Sequence, residues 1–173
     1  FKHTAHLAQS PQLYKQIMVG PLERVFTIGN VYRAEKHSTT RHLNEYTSLD
    51  MEMGFIKDHT DVMNAENGFL VHLEKELRTH CEAEFKLLGA EIPATPAQIP
   101  VMTLREAQKL ITKETGNDCT KEPDLEPEHE RWLCAYAKEK MNSDFIFITE
   151  YPTSKRPFYT MKKDDDAEHT KSF

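Results

Sequence analysis

Hydrophobic and polar positions alternate with two different periods along the first half of the chain. Residues 25–35 and 46–55 alternate with a period of two, which predicts two strands joined by a polar connection. A period close to 3.6 residues over 60–88 predicts a long helix, and Gly89 is suited to end it. We therefore expect a strand pair followed by a helix.

A short helix is predicted ahead of the first strand. Ser10 is a plausible N-cap, and Pro11 suits the first helical position because its ring fixes φ and its missing N–H would be unpaired there anyway. The helix is expected to run to Met18 and to end at Gly20-Pro21.

Capping signals also organise the second half of the chain. Thr103 and Glu106 have the spacing of a capping box, which predicts a helix to about Thr115 that Gly116 ends. The other predicted elements are a loop at 90–101, a helix at 128–141 and short strands at 145–149 and 158–161. This order of elements predicts an α+β fold with an antiparallel β-sheet flanked by helices.

Composition is that of one globular domain of an intracellular protein. Of the 173 residues, 38% are hydrophobic and 29% are charged, and no apolar run approaches the roughly 18 residues needed to span a bilayer. Residues 1–16 lack a secretory pattern, and the three cysteines have neither metal-ligand nor disulfide spacing. A net charge of -6 argues against a simple basic patch for nucleic acid without excluding such a partner. We expect a cytoplasmic protein without a membrane span.

Strand parity places polar side chains on one face of the predicted hairpin. That face holds Thr27, Gly29, Val31, Arg33 and Glu35 of the first strand, and Tyr46, Ser48, Asp50, Glu52 and Gly54 of the second. The opposite face, expected to pack against helices, holds Leu49, Met51, Met53 and Phe55. The polar face is either a solvated outer surface or a ligand-binding floor, in which glycine admits a ligand and arginine offers a fork for phosphate or carboxylate.

The connection between the strands carries an unusual density of basic side chains. Residues 36–42 include Lys36, His37, Arg41 and His42. Such a loop could close over a polyphosphate, or it could be a solvated hairpin tip, and the pattern does not choose between them. The two histidines lack a third ligand, so they do not predict a metal site.

Three stretches together resemble one known family. Residues 31–35, 41–46 and 49–52 resemble motif 2 of the class II aminoacyl-tRNA synthetases, with its Arg-x-Glu strand and Arg-His-x-x-Glu-aromatic return. This form of the motif is shared most closely by the aspartyl, asparaginyl and lysyl enzymes. Residues 8–16 are similar to the amino-acid-binding helix of the aspartyl enzymes, and 151–161 to a strand pair of their archaeal and eukaryotic branch.

The resemblance implies roles for particular residues. It implies that Arg33 is catalytic and binds the ATP α-phosphate and the aspartate α-carboxylate, and that Lys15 binds the aspartate side chain. The remaining implied ATP contacts are Glu35, Arg41, His42 and Tyr46. The other implied aspartate contact is Gln12. The resemblance also implies that Gln9, Asp50 and Glu52 support the site from behind, and that Asp50 orients Lys15 or its neighbours. Asparaginyl enzymes resemble this helix but lack the lysine, because an amide does not need a buried cation.

The resemblance also implies the activity and its partners. The expected enzyme is an aspartate–tRNA ligase that uses ATP and Mg²⁺, acts on tRNA and forms a homodimer. Residues 1–173 would be part of the catalytic domain, with motif 2 at about 25–55 and a helical region at about 58–141. Motif 1, motif 3, the Mg²⁺ ligands and the anticodon-binding domain have no counterpart in these residues, so the 173 residues alone are expected to be inactive.

Small departures and two alternatives remain. Lys162 stands where a proline is usual in the family and Glu150 where an aspartate is common. The alternatives are a synthetase-like module that binds or regulates without catalysis, and an asparaginyl-tRNA synthetase. Joint retention of the implied ligand-binding residues favours the aspartate enzyme over a decayed site.

Overall fold

The structure is a computed structural model that describes residues 2–36 and 43–173. The chain forms two compact units, 1–56 and 57–173, and each has its own helices and strands. In the first unit, helix α1 (Gln12–Leu22) precedes strands β1 (Arg24–Tyr32) and β2 (Glu45–Met53). The strands pair antiparallel, as predicted, so that Gly29 lies opposite Ser48 and Thr27 opposite Asp50.

Helix α1 is longer than the sequence predicted. It begins at Gln12, one residue after the expected start, and the Gln12 N–H donates to Ser10 Oγ at 3.2 Å. The expected end at Gly20-Pro21 is wrong, because the helix continues to Leu22 with Pro21 inside its last turn. The turn closes through a 2.8 Å bond from the Glu23 N–H to the Val19 carbonyl, so the hydrogen bond that proline cannot donate is not needed to complete it.

The apolar face of the hairpin is not covered by helix α1, the helix of its own unit. Phe26 and Ile28 of β1 are 72% and 61% exposed, and Leu49 and Met51 of β2 are 52% and 40% exposed. Helix α1 instead contacts the polar face, where Lys15 meets the carboxylates of β2. Parity identified the two faces correctly but gave no information on which of them a helix covers.

The second unit contains four helices and two short strands among its regular elements. These are α2 (His59–His80), α3 (Glu82–Leu88), β3 (Val101–Thr103), α4 (Leu104–Thr115), α5 (Pro127–Met141) and β4 (Phe147–Thr149), followed by a 3₁₀ turn at Thr153–Lys155. Leu104, Ala107 and Ile111 of α4 are fully buried, and the last two pack with Cys119 and Leu133 in the core of this unit.

The capping signals in the sequence predicted both ends of α4 accurately. The Thr103 side chain accepts from the Glu106 N–H at 3.2 Å, while the Glu106 carboxylate accepts from the Thr103 N–H at 2.8 Å. Gly116 ends the helix in the left-handed conformation, at a φ of 78°. Both ends of α4 therefore depend on hydrogen bonds and backbone conformations of neighbouring residues, which can be predicted directly from the sequence.

Three other expectations in the second unit are wrong. The long helix breaks at Cys81, whose φ of -124° is not helical, so 60–88 is two helices rather than one. Residues 158–161 form a turn instead of a strand, and its Phe158 is 99% exposed. Strands β3 and β4 pair in parallel, a pairing that the predicted antiparallel sheet did not include.

Among the residues that the structure describes, no helix combines the length and the apolar composition needed to cross a membrane.

Candidate functional site

A buried lysine is the most distinctive feature of the first unit. Lys15 lies in α1 with only 6% of its surface exposed. Its ammonium forms ion pairs with Asp50 Oδ1 and, at 3.3 Å, with Glu52 Oε2. Both carboxylates stand on the polar face of β2, two residues apart, so the alternation of the strand aims them at the same place. The lysine therefore joins the helix to the polar face of the hairpin.

The two carboxylates keep Lys15 charged despite its burial. Desolvation alone would lower the pKa of Lys15, but the hydrogen bonds and negative charges of Asp50 and Glu52 outweigh it and raise the pKa above its usual range. An ammonium has three donors, and the two carboxylates account for two of them. Lys15 is therefore a charged donor that is held in place against the polar face of the hairpin.

A second polar group of α1 is directed toward the same carboxylates. Gln12 lies one turn before Lys15, and its Nε2 lies 3.5 Å from Glu52 Oε2. Its side chain is exposed, in contrast to that of Lys15. Glu52 therefore contacts two residues of the helix at once and fixes their positions relative to β2.

A small cavity adjoins this cluster. It has a volume of about 160 Å³ and includes Asp50 among its lining residues. A methyl group added to Gly29 would meet no atom within 4 Å. The missing side chain of Gly29 therefore leaves open space over the middle of β1, where a ligand can approach the backbone. The lining residues are Ala8, Ser10, Pro11, Tyr14, Thr27, Gly29, Asn30, Val31, Ser48 and Asp50.

Arg33 and Tyr46 form a second group at the other end of the hairpin. Arg33 directly follows β1, and its N–H donates to the Asn44 carbonyl at 2.9 Å, which holds the two chain segments together there. Its guanidinium carbon lies 5.8 Å from the centre of the Tyr46 ring. Glu35, two residues further on, is half-buried. A cation beside an aromatic ring is suited to a ligand that combines a flat base with phosphate.

Arg33 also lines an open groove of about 820 Å³. Its other lining residues are Ala5, His6, Leu7, Gln9, Tyr32, Ala34, Asn44 and Glu45. Of the predicted residues, Gln9 lies here rather than beside Asp50 and Glu52, with which the resemblance grouped it. His6 and Asn44 were not predicted, because no pattern in the sequence places residue 6 beside residue 33.

The predicted residues thus fall into two described clusters. One holds Gln12, Lys15, Asp50 and Glu52, and the other holds Arg33 with Tyr46. Arg41 and His42 lie outside the described residues, as does most of the connection that was expected to close over a polyphosphate.

Over residues 2–36 and 43–173, no group of three or more histidine, cysteine or carboxylate side chains is arranged to hold a metal ion.

Comparisons with known proteins agree on one family. The family model for class II tRNA synthetases (D, K and N) matches residues 1–173. The aspartate–tRNA(Asp/Asn) ligase of Deinococcus radiodurans is 56% identical over 159 residues, which are 92% of this chain and 36% of that protein.

Two solved structures share the fold. An aspartyl-tRNA synthetase from Entamoeba histolytica is 29% identical with a TM-score of 0.81, over 97% of this chain and 36% of that one. An asparaginyl-tRNA synthetase from the same organism, in complex with asparaginyl-adenylate, is 25% identical with a TM-score of 0.76, over 98% of this chain and 39% of that one.

The α+β fold, the paired strands with their polar face and the full-length family match define a class II synthetase domain. The chain belongs to the class II tRNA synthetases of the D, K and N group. It spans roughly two-fifths or less of the length of each relative named above. The resemblance drawn from motif 2 is confirmed, and so is the predicted fold class.

Proposed function

We propose that the protein activates L-aspartate with ATP and transfers it to tRNA(Asp), and also to tRNA(Asn). The observation that carries this proposal is the buried Lys15 ammonium paired with Asp50, a residue that lines the cavity over Gly29. The name of the Deinococcus radiodurans relative supports the same activity and both tRNAs.

Charge is the reason for choosing aspartate. Burying a lysine is costly unless the ammonium is paired, and here two carboxylates of β2 pair with it. The side-chain carboxylate of the substrate can accept a hydrogen bond from the remaining N–H of the ammonium. An amide in its place would form a weaker hydrogen bond. In this arrangement Lys15 binds the aspartate side chain, Gln12 holds its ammonium group, and Asp50 and Glu52 position the lysine.

The ATP would bind at the other cluster. Tyr46 offers a ring for stacking on adenine and Glu35 an acceptor for the adenine amino group. Arg33 offers a planar fork for the α-phosphate and the α-carboxylate of aspartate. His42 and Arg41 would contact the distal phosphates, with Gln9 supporting the site.

The reaction needs no covalent enzyme intermediate. A carboxylate oxygen of aspartate attacks the α-phosphorus, the bond from that phosphorus to the bridging oxygen breaks, and pyrophosphate leaves with the bond electrons. The 3′-terminal ribose hydroxyl of the tRNA then attacks the acyl carbon and AMP leaves. The protein's contribution is to position the reactants and to place the Arg33 charge where negative charge develops.

Several features of the proposed enzyme rest on family membership alone. ATP would be used with Mg²⁺, which would help to neutralise the charge of its phosphates. Homodimerisation and a cytoplasmic location are proposed on the same basis. Asparaginyl-tRNA synthetase is the second candidate, since a structure of one shares the fold, but the paired Lys15 favours a carboxylate over an amide.

Aspartate-dependent exchange of pyrophosphate into ATP tests the proposal. The complete gene product that carries this sequence is expected to catalyse exchange with aspartate and to be at least about tenfold less active with asparagine, because a hydrogen bond to a charged group is worth about 1.5–3 kcal/mol. Preference for asparagine would replace this proposal with the second candidate. If the folded protein, supplied with ATP and Mg²⁺, catalyses exchange with neither amino acid, only a non-catalytic role remains.

Filling the space over Gly29 should block the amino acid without harming the fold. The added side chain of Gly29→Val meets no atom within 4 Å at its Cβ, and valine is favoured in strands. We expect the free energy of unfolding to be unchanged or higher and the KM for aspartate to rise about tenfold or more, since one lost contact of about 1.4 kcal/mol already gives that factor.

Gly20→Ala is the matched control for this change. A Cβ at Gly20 also meets nothing within 4 Å, but Gly20 lies in α1 and does not line the cavity. The KM for aspartate should stay the same in this variant. An unaltered KM in Gly29→Val would show that the cavity does not hold the substrate.

A further inference from the structure

The open space over Gly29 is bounded along β1 by two branched side chains. Thr27, Gly29 and Val31 are successive residues of the polar face of the hairpin, and all three line the cavity. Neighbouring residues on one face of a strand stand about 7 Å apart. The glycine therefore leaves a gap the size of one side chain between a threonine and a valine.

The strand register places the threonine end of this gap beside the ion pair of Lys15. Thr27 lies opposite Asp50, whereas Gly29 lies opposite Ser48. Two residues that face each other across an antiparallel pair have Cβ atoms about 4.5–5.5 Å apart. Because Asp50 is the carboxylate that pairs with the Lys15 ammonium, Thr27 stands at the end of the cavity next to that ion pair.

The valine end of the gap leads toward Arg33. Val31 lies opposite Tyr46, whose ring centre is 5.8 Å from the Arg33 guanidinium carbon. In the proposed function the side-chain carboxylate of aspartate faces Lys15 and its α-carboxylate faces Arg33. The substrate would then lie along β1, and its side chain would extend over Gly29 toward Thr27.

We propose that Thr27 is a specificity-determining residue that limits the length of the acidic side chain bound over Gly29. This inference rests on the proposed binding of aspartate there, but it concerns the choice between amino acids and can be decided without turnover. Glutamate carries the same charges as aspartate, so the two cations attract both. The additional methylene of glutamate would meet the branched side chain of Thr27.

The size of the cavity supports a limit on length. Its volume of about 160 Å³ lies below the range of about 300–1,000 Å³ that is ordinary for pockets of drug-sized ligands. One methylene too many in a fitted pocket changes discrimination by about 10–200-fold. The Kd for glutamate should therefore exceed the Kd for aspartate by at least about tenfold in the unaltered protein.

Equilibrium dialysis of labelled aspartate and labelled glutamate with the complete gene product tests the inference. In Thr27→Ala, the ratio of the glutamate Kd to the aspartate Kd should fall by about tenfold, because alanine leaves room for one more methylene. Thr27→Val separates shape from hydrogen bonding, since valine keeps the branched shape without the hydroxyl. The ratio should stay high in Thr27→Val.

Thr47→Ala is the matched control for Thr27→Ala. Thr47 is also an exposed threonine of the hairpin, but it is paired with Asn30 on the opposite face and does not line the cavity. Its hydroxyl donates to Asn30 Oδ1 at 3.2 Å. The ratio of the two Kd values should be the same in Thr47→Ala as in the unaltered protein.

The outcomes separate this inference from the proposed function. An unchanged ratio in Thr27→Ala would overturn the role of Thr27 while leaving the enzyme intact. An equal fall in Thr27→Ala and Thr27→Val would assign the discrimination to the hydroxyl and would overturn the limit on length. The expected ratios without aspartate-dependent exchange would support Thr27 and contradict the ligase. If the unaltered protein binds neither amino acid, both are wrong.

Discussion

The Lys15→Met protein is expected to activate aspartate with a kcat/KM at least about 100-fold below that of the unaltered protein. Methionine fills most of the same volume but removes the ammonium that pairs with Asp50 and Glu52. Those carboxylates would then face the substrate carboxylate without a cation between them. A hydrogen bond between the ammonium and the substrate carboxylate is worth about 1.5–3 kcal/mol, and the unscreened repulsion from the two carboxylates adds to its loss, so a factor of about 100 or more is expected.

The measurement is aspartate-dependent ATP–pyrophosphate exchange, with ATP affinity determined separately. ATP binding should be retained, because Lys15 lies outside the Arg33 cluster. Gln16→Met is the control, since Gln16 follows Lys15 in α1 but is exposed. Undiminished aspartate activation in Lys15→Met would remove the basis for assigning aspartate and would favour the asparaginyl alternative.

The Arg33→Ala protein is expected to form aspartyl-adenylate about 10²–10³-fold more slowly, the range seen when one preorganised charge-stabilising donor is removed. The reason is that the guanidinium would face both the α-phosphate and the attacking carboxylate. Single-turnover formation of the adenylate measures the loss directly, because it separates the chemical step from substrate binding and product release.

Arg24→Ala provides a control of the same residue type. Arg24 is exposed at the start of β1, at the opposite end of the strand from Arg33, so its loss should leave adenylate formation unchanged. Tyr46→Phe should also stay active, since the aromatic face remains beside the guanidinium. Equal rates in the Arg33→Ala and Arg24→Ala proteins would exclude Arg33 from catalysis.

Local signals in the sequence predicted part of the fold well. The hairpin faces follow from alternation, and the ends of α4 follow from Thr103, Glu106 and Gly116, because each depends on neighbouring residues only. The parallel pairing of β3 with β4 joins residues more than forty positions apart and leaves no periodic signal. The break at Cys81 was missed for a related reason, since the apolar spacing continues through it.

The candidate site could be predicted from family resemblance more fully than from patterning. The alternation of residues alone did not decide whether the polar face is a solvated surface or the floor of a ligand site. The resemblance grouped Lys15 with Asp50, and the structure places the two in contact. The sequence could not predict that His6 and Arg33 line the same groove, because this depends on how an irregular segment attaches to the edge of β1.

The exposed apolar side chains of the hairpin affect the tendency of the isolated chain to self-associate. Phe26 and Ile28 stand beside Leu49 and Met51 on one side of a two-stranded ribbon. Stacking two such ribbons removes apolar surface from water and lowers the free energy, so association between chains increases with concentration and weakens on cooling. Dilution and low temperature, rather than added salt, are therefore the conditions that should keep the 173 residues dispersed.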